Sequence, residues 1–242
     1  MCSNILNEPP ELKPDASSVS DKRALKEKNQ FFLGMRRFIR WLANSMLHLL
    51  FRIQYEGLEH LPTEGPAILI ANHTSLFDMF AIHVRVEPWI HWVAKKELYR
   101  HLLLSKMLHF LGCIPVDRNK TDLSAARGIL THLKQNRIVG IFPQGTRVRP
   151  EEVAKVHPRN GAIHFAIRTG VPLLPVAIEG RFKPFSKVRI VFGQPFTLAR
   201  DLCQIEQGQM EILSLHIMQK IYDLIGCEDV YGLRRHPEGQ TS

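Results

Sequence analysis

His73 and Asp78 are the two residues of this 242-residue chain whose types and spacing most clearly suggest chemistry. They stand at the two ends of the segment His73-Thr-Ser-Leu-Phe-Asp78. On one continuous helix this spacing would turn the side chains about 140° apart, so a contact requires a turn between them. A carboxylate that holds one imidazole nitrogen fixes the tautomer and leaves the other nitrogen free to accept a proton. The pair therefore predicts a general base and the carboxylate that orients it.

The residues around this pair predict such a turn. Ala67-Ile-Leu-Ile-Ala71 is a short apolar run of strand type, and Thr74 or Ser75 is a natural helix N-cap. We therefore expect His73 in the turn after a strand and Asp78 in the first helical turn, where the two side chains can meet. The same residues also fit a capping box, in which Asp78 only satisfies backbone donors, and this alternative stays open.

Two further strand-like runs are followed by basic and glycine-containing loops. One run leads into Phe142-Pro-Gln-Gly-Thr-Arg147, and the other is Gly112-Cys-Ile-Pro-Val116, which precedes Asp117 and Arg118. Ligands of open α/β sheets bind beyond the carboxyl ends of the strands. If these strands are parallel neighbours, one cleft holds His73, Arg118 and Arg147. A glycine-containing turn beside cations suits a phosphate, so the sequence predicts transfer chemistry on a phosphorylated substrate.

Four segments in order resemble the motif blocks of the glycerolipid acyltransferases. The likeness is greatest to the bacterial 1-acyl-glycerol-3-phosphate (lysophosphatidic acid) acyltransferases, and it extends over about residues 50 to 195. The segments are Asn72-His-Thr-Ser-Leu-Phe-Asp78, Gly112-Cys-Ile-Pro-Val-Asp-Arg118, Phe142-Pro-Gln-Gly-Thr-Arg147 and Val171-Pro-Leu-Leu-Pro-Val-Ala-Ile178. Four ordered blocks are much more specific than any single motif.

The resemblance implies a role for residues of each block. His73 resembles the catalytic general base of the family, and Asp78 its orienting partner. Pro172 and Pro175 belong to the block that the family links to the acyl donor. The implied substrate-binding set is Arg118, Gln144, Gly145, Thr146 and Arg147. Lys155 and Arg159 either lengthen this basic strip or belong to a solvated loop.

Gln144 is a departure from the family pattern, which usually has Glu at this position. Gln is a hydrogen-bonding side chain of a size similar to Glu, but it lacks the charge of Glu. We therefore expect the substitution to affect the acceptor headgroup more than the chemistry.

The implied reaction transfers a fatty acyl group from a thioester donor, acyl-CoA or acyl carrier protein, to the free sn-2 hydroxyl of 1-acyl-sn-glycerol-3-phosphate. The product is phosphatidic acid, and no cofactor or metal is expected. A covalent acyl-enzyme is the competing route, with Cys113 or Ser75 as nucleophile. Cys113 lies in an apolar run typical of a core, and Ser75 is better suited to capping. Glycerol-3-phosphate or another lysophospholipid remains an alternative acceptor.

The composition predicts an α/β fold, a single domain with a central mostly parallel or mixed sheet flanked by helices. The predicted parts are a flexible polar tail over residues 1–30, an amphipathic membrane-interface helix over 31–53 and an acyltransferase domain over 54–242. A core helix is expected over 98–111, a last strand near 187–192 and a closing helix over 209–225. The four cysteines lack metal-ligand spacing and resemble unpaired thiols.

The segment 31–53 combines a basic and polar stripe with a broad apolar face. Arg36, Arg40 and Arg52 lie on the stripe, and an uninterrupted stripe of this kind argues against a membrane span. The pattern favours a helix that lies in the membrane interface, although packing on the protein core remains an alternative. We therefore expect a peripheral or monotopic protein on the cytoplasmic face of the cell membrane.

The net charge of +9 favours anionic partners. Anionic lipid surfaces and phosphorylated substrates fit this charge. Nucleic acid is not expected, because the chain lacks an aromatic-rich RNA-binding signature, a zinc module and a clear basic recognition helix. A noncatalytic lipid-binding module, in which His73 only stabilises a turn, is the remaining alternative.

Overall fold

The computed structural model describes residues 16–199, 202 and 206–233. Residues 1–15 of the predicted tail, together with Cys2 and Cys203, lie outside the described residues. The helices are α1 (Ala16–Leu50), α2 (Asp78–His83), α3 (Leu102–Phe110), α4 (Leu123–Lys134), α5 (Gly161–Thr169) and α6 (Gln207–Asp223). The strands are β1 (Arg52–Glu56), β2 (Ala67–Ala71), β3 (Ile90–Lys95), β4 (Ile114–Val116), β5 (Ile138–Ile141), β6 (Leu173–Gly180) and β7 (Lys187–Phe192). Short 3-10 helices cover Leu58–His60, Lys96–Arg100 and Pro150–Lys155.

The strands form one seven-stranded sheet in the order β1-β7-β6-β2-β5-β3-β4. Strands β2 to β6 are mutually parallel, whereas β7 runs antiparallel to β6 and pairs in parallel with β1. Both faces are covered by helices, so the predicted α/β class with a mixed sheet is confirmed. All five parallel strands end at the same edge of the sheet.

Side-chain alternation along the central strands supplies two apolar layers. Ile68 and Ile70 of β2 pack with α4, α5 and α6, whereas Leu69 packs on the opposite face with α2, α3 and Leu47. Because both faces of a parallel sheet are buried, these strands are apolar throughout. This rigid sheet determines where the loops at its carboxyl edge stand.

Two units are distinguished along the chain, one up to Leu42 and one from Ala43 onward. Helix α1 begins at Ala16, so residues 16–30 of the predicted tail are helical here, and this segment contains neither Pro nor Gly. The helix ends at Leu50, and Arg52 and Ile53 belong to β1, where they pair with β7. The membrane role of segment 31–53 stays a prediction, as do the domain boundaries.

The predicted core helix over 98–111 was wrong in its burial. Helix α3 is a surface helix in which Leu108 alone is buried, whereas Leu102 and Leu103 are 71% and 83% exposed. A helix this short presents one narrow side to the sheet, so its other leucines remain outside. The predicted last strand and closing helix correspond to β7 and α6. Among the described helices, none is long and apolar enough to cross a membrane.

Candidate active site

His73 and Asp78 meet at the carboxyl edge of the sheet. His73 lies in the turn after β2, and α2 begins at Asp78. The imidazole Nδ1 is 2.8 Å from Oδ2 of Asp78, whose side chain is fully buried, while that of His73 is 16% exposed. An ionised carboxylate only accepts hydrogen bonds, so Nδ1 donates and Nε2 remains an acceptor. The geometry therefore leaves Nε2 as a proton-accepting nitrogen.

Asp78 also organises the turn that carries His73. Its Oδ2 accepts the N–H groups of Thr74 and Ser75 at 2.6 and 2.8 Å, and its Oδ1 accepts the Thr74 hydroxyl at 3.1 Å. The two alternatives for this carboxylate, orienting His73 and satisfying backbone donors, thus coexist in one group. The predicted N-cap was wrong, because the N-cap residue of α2 is Phe77. The carboxylate tightens the turn over Thr74 and Ser75, and the helix starts only after it.

Two aromatic rings stack behind the imidazole. The His73 and Phe142 ring centroids are 4.1 Å apart with planes inclined by 19°, and Phe142 stacks on Trp92 at 4.8 Å and 11°. The three residues come from the neighbouring strands β2, β5 and β3 or the loops that follow them. One face of the imidazole is therefore covered, and its plane is fixed.

Two hydrogen bonds join the backbone of His73 to the loop over residues 142–148, which contains the third sequence block. Its N–H donates to Oε1 of Gln144 at 2.9 Å, and its carbonyl accepts the N–H of Val148 at 2.8 Å. The preceding Asn72 side chain exchanges two hydrogen bonds with the Ile178 backbone on β6, at 2.7 and 2.8 Å. The loop after β5 and strand β6 thus hold the adjacent residues His73 and Asn72 of the turn after β2.

Gln144 points into the protein rather than towards the cleft. Its side chain is 4% exposed, and its Nε2 donates to the Tyr222 hydroxyl at 3.1 Å. Tyr222 is a buried residue of α6, and burial raises the pKa of its hydroxyl to about 12, so it remains neutral. Sequence reasoning missed Tyr222, because nothing in the spacing of α6 distinguishes it from a core residue.

The turn of the third block requires glycine at position 145. Gly145 has φ of 67°, and its N–H donates to the Phe142 carbonyl at 2.9 Å. A Cβ at this position would lie 3.1 Å from Nε of Arg159. Thr146 and Arg147, which follow, are exposed. Within the described part of the chain, the Arg147 guanidinium has no ion-pair partner.

Arg118 reaches the same turn from β4. Its guanidinium donates to the Gly145 carbonyl, and its own carbonyl accepts Nη1 of Arg159 at 2.8 Å. Desolvation, followed by the nearby positive charge of Arg159, lowers the pKa of Arg118. Both arginines and Lys120 line a cleft of about 170 Å³ beside Gly145, together with Asp117, which pairs with Lys120 at 3.7 Å. This concentration of cations in a partly desolvated cleft suits a phosphate.

The geometry does not support either candidate for a covalent nucleophile. Cys113 directly precedes β4, which is separated by β5 and β3 from β2, the strand that leads to His73. Burial raises the pKa of its thiol to about 12, which disfavours the thiolate. The Ser75 hydroxyl accepts the N–H of Phe77 at 3.3 Å, as expected for a residue that stabilises a turn.

Residues 52–179 match the acyltransferase family, and this match spans all four sequence blocks. The chain belongs to the acyltransferase family. The resemblance inferred from the blocks is thereby confirmed.

Named relatives of this acyltransferase come from several organisms. It is 29% identical over 168 residues to the 1-acyl-sn-glycerol-3-phosphate acyltransferase of Bacillus subtilis, covering 66% of this chain and 82% of the relative. It is 34% identical over 120 residues to the enzyme of that name from Escherichia coli, covering 48% of this chain and 47% of the relative.

The fold of this acyltransferase also has a solved counterpart. The crystal structure of the 1-acyl-sn-glycerophosphate (LPA) acyltransferase PlsC from Thermotoga maritima superposes with a TM-score of 0.62 at 22% identity. The likeness covers 83% of each chain. At this identity the likeness shows the fold.

Proposed function

We propose that this acyltransferase transfers a fatty acyl group from an acyl-CoA or acyl carrier protein thioester to the sn-2 hydroxyl of 1-acyl-sn-glycerol-3-phosphate. The product is phosphatidic acid, and the reaction requires no cofactor. The observation that carries the proposal is the buried Asp78 carboxylate bonded to His73, whose ring stacks on Phe142, a residue that lines the cationic cleft. The names of the relatives from Bacillus subtilis and Escherichia coli support the choice of acceptor.

In this proposal His73 is the general base. Its Nε2 takes the proton of the acceptor hydroxyl while the hydroxyl oxygen attacks the thioester carbonyl. The tetrahedral intermediate collapses to the new ester and expels the thiolate, which receives the proton back from the imidazolium. Asp78 stabilises the imidazolium between these two proton transfers. The coverage of one imidazole face by Phe142 supports this role by limiting the orientations of the ring.

The cationic cleft is the proposed site for the acceptor phosphate. Arg118, Gly145, Thr146 and Arg147 form its binding set, and Arg159 adds a further charge. The exposed Arg147 guanidinium is available to a ligand, whereas the Arg118 guanidinium already donates to the Gly145 carbonyl. Arg147 is therefore assigned direct contact with the phosphate, and Arg118 is assigned both charge and the shape of the turn.

The acyltransferase is further proposed to act at an anionic membrane surface on the cytoplasmic side, with residues 31–50 of α1 as an interfacial helix. Large exposed apolar residues in the loops and at the helix starts that follow the strands at the active-site edge support this part of the proposal. They are Leu76 and Phe77 after β2, Leu98, Leu102 and Leu103 after β3, Leu123 after β4 and Phe185 after β6. Lys96 and Arg100 lie among them. Apolar side chains interspersed with cations suit an anionic bilayer surface.

Vesicle binding tests the membrane part of the proposal. Leu102→Ser with Leu103→Ser should weaken cosedimentation of the full chain with phosphatidylglycerol-containing vesicles, because two exposed leucines no longer enter the bilayer. Ile212→Ser is the matched control, since Ile212 is an exposed apolar residue of α6. Equal binding by the double variant and the control would show that the active-site edge does not contact the vesicle surface.

The decisive experiment for the reaction measures acyl transfer directly. Radiolabelled acyl-CoA and acyl carrier protein are offered in parallel, with a panel of lysophospholipids and glycerol-3-phosphate as acceptors. Formation of phosphatidic acid by the wild type and not by His73→Ala is expected. A different His73-dependent product would keep the mechanism and correct the acceptor. No transfer by folded protein that binds vesicles would instead favour a noncatalytic lipid-binding module.

A further inference from the structure

The Gln144 amide connects the backbone of His73 to α6. The orientation of the amide is determined by its partners, because the His73 N–H can only donate and must therefore face Oε1. The nitrogen Nε2 then faces the Tyr222 hydroxyl and donates to it at 3.1 Å. Both ends of the amide are thus used inside the protein.

The support behind Gln144 is rigid. Tyr222 is 6% exposed, and its neighbours Met218 and Ile221 on α6 are fully buried against the sheet. Helix α6 begins with a capping box formed by Glu206 and Gln209. A displacement of the Tyr222 hydroxyl therefore requires movement of a packed helix.

We propose that Gln144 and Tyr222 are positioning residues that fix the backbone of His73 from within the protein, and that Gln144 does not select the acceptor headgroup. This inference rests on the proposed role of His73 as general base. It assigns part of the catalytic geometry to α6, which lies outside residues 52–179, the part that matches the family. It also replaces the expectation that the change from Glu to Gln acts on the acceptor.

A carboxylate at position 144 would make the same two contacts, but the hydrogen bond with Tyr222 would run in the opposite direction. Gln144 donates to the Tyr222 oxygen, whereas a glutamate at this position would accept both the His73 N–H and the Tyr222 hydroxyl hydrogen. The tyrosine hydroxyl rotates to suit either partner. A buried carboxylate needs this donor more than a neutral amide does, because an unsatisfied buried charge costs more than an unsatisfied neutral group.

The test is a set of steady-state kinetic measurements on the full chain with vesicle-borne 1-acyl-sn-glycerol-3-phosphate. Gln144→Ala should lower kcat on the order of tenfold or more with little change in the KM of the acceptor, because the base is displaced while the phosphate contacts remain. Gln144→Glu should instead keep kcat near the wild-type value, since the carboxylate keeps both hydrogen bonds. Arg147→Ala is the matched control and should raise the KM of the acceptor instead.

Tyr222→Phe distinguishes positioning from general destabilisation. In the wild-type background it should lower kcat severalfold. In the Gln144→Glu background it should lower kcat further, because the carboxylate then loses its hydroxyl donor. If Tyr222 had a purely structural role, Tyr222→Phe would lower kcat equally in the wild-type and Gln144→Glu backgrounds. The loss of kcat would then follow the change in Tm.

The outcomes separate this inference from the proposed reaction. Absence of acyl transfer by the wild type would remove the proposed function itself. An active wild type with an inactive His73→Ala variant, but with Gln144→Ala changing only the KM or the headgroup preference, would overturn the positioning role and leave the reaction intact.

Discussion

Asp78 accepts a hydrogen bond from His73 through Oδ2, the same oxygen that accepts the N–H groups of Thr74 and Ser75. The orientation of the His73 imidazole and the shape of its turn therefore depend on one buried atom. Removing this acceptor must affect activity and folding together, whereas removing the imidazole affects activity alone.

His73→Ala and Asp78→Asn should consequently differ in their stability profiles. We expect His73→Ala to lose activity to background with a small change in Tm. Asp78→Asn should lose on the order of a hundredfold in kcat and about 1–3 kcal/mol of unfolding free energy, because an amide nitrogen cannot accept the N–H donors. Chemical denaturation and initial-rate measurements check both values. Retained activity of purified His73→Ala would remove the general-base assignment.

Arg147→Ala should weaken recognition of the acceptor without loss of stability. The side chain is exposed and has no ion-pair partner in the described part of the chain, so its removal should leave Tm unchanged. We expect the KM for the phosphorylated acceptor to rise on the order of tenfold, which corresponds to the loss of about one charged contact. Arg149→Ala, another exposed arginine close by, is the control. Equal effects of the two variants would indicate a general electrostatic attraction rather than a specific contact.

Cys113→Ala and Ser75→Ala should retain acyl transfer. The Cys113 thiol is buried, and burial raises its pKa to about 12. We therefore expect kcat within about threefold of wild type for each variant, and no covalent acyl adduct in the intact mass after incubation with donor alone. An acyl adduct that disappears in either variant would instead establish the covalent route.

The contacts of Asp122 predict that this residue contributes to the stability of the protein in a pH-dependent way. Its carboxylate accepts the N–H groups of Asp117, Ala125 and Ser124 and the Ser124 hydroxyl, and these bonds hold its pKa well below the ordinary value. A lowered folded-state pKa contributes stability above the unfolded-state pKa, and this contribution is lost as the pH falls.

Asp122→Ala should therefore lower Tm by a few degrees at pH 7. The difference from wild type should shrink as the pH falls below about 4, where the unfolded chain takes up the proton. Thermal melts followed by circular dichroism across this range check the trend. A Tm difference that stays constant down to the lowest pH would show that the charge of Asp122 does not contribute to stability and that only its packing does.

Local sequence patterns predicted the parts of this site that depend on neighbouring residues. The turn between β2 and α2 and the contact of His73 with Asp78 follow from an apolar run and turn residues. The common edge of β2, β4 and β5 was expected only on the condition that these strands are parallel neighbours; they are parallel, but β3 lies between β5 and β4. The burial of α3 was wrong, because helical periodicity does not reveal how much of a short helix meets the sheet.

The parts that were missed depend on residues far apart in the chain. Trp92 enters the aromatic stack only because β3 lies beside β5, and strand order is not encoded in local periodicity. Tyr222 reaches Gln144 only because α6 packs across β6. Such partners are selected by packing of the whole core, which no short motif reports.

The hydrogen bond between Gln144 and Tyr222 also has a consequence for biosynthesis. All four sequence blocks leave the ribosome before α6 does. A nascent chain therefore contains every motif residue while Gln144 still lacks its hydroxyl partner. A premature stop codon before position 222 would yield a polypeptide with complete motifs in which Gln144 lacks its partner. Motif content alone would therefore overstate the competence of such a truncated product.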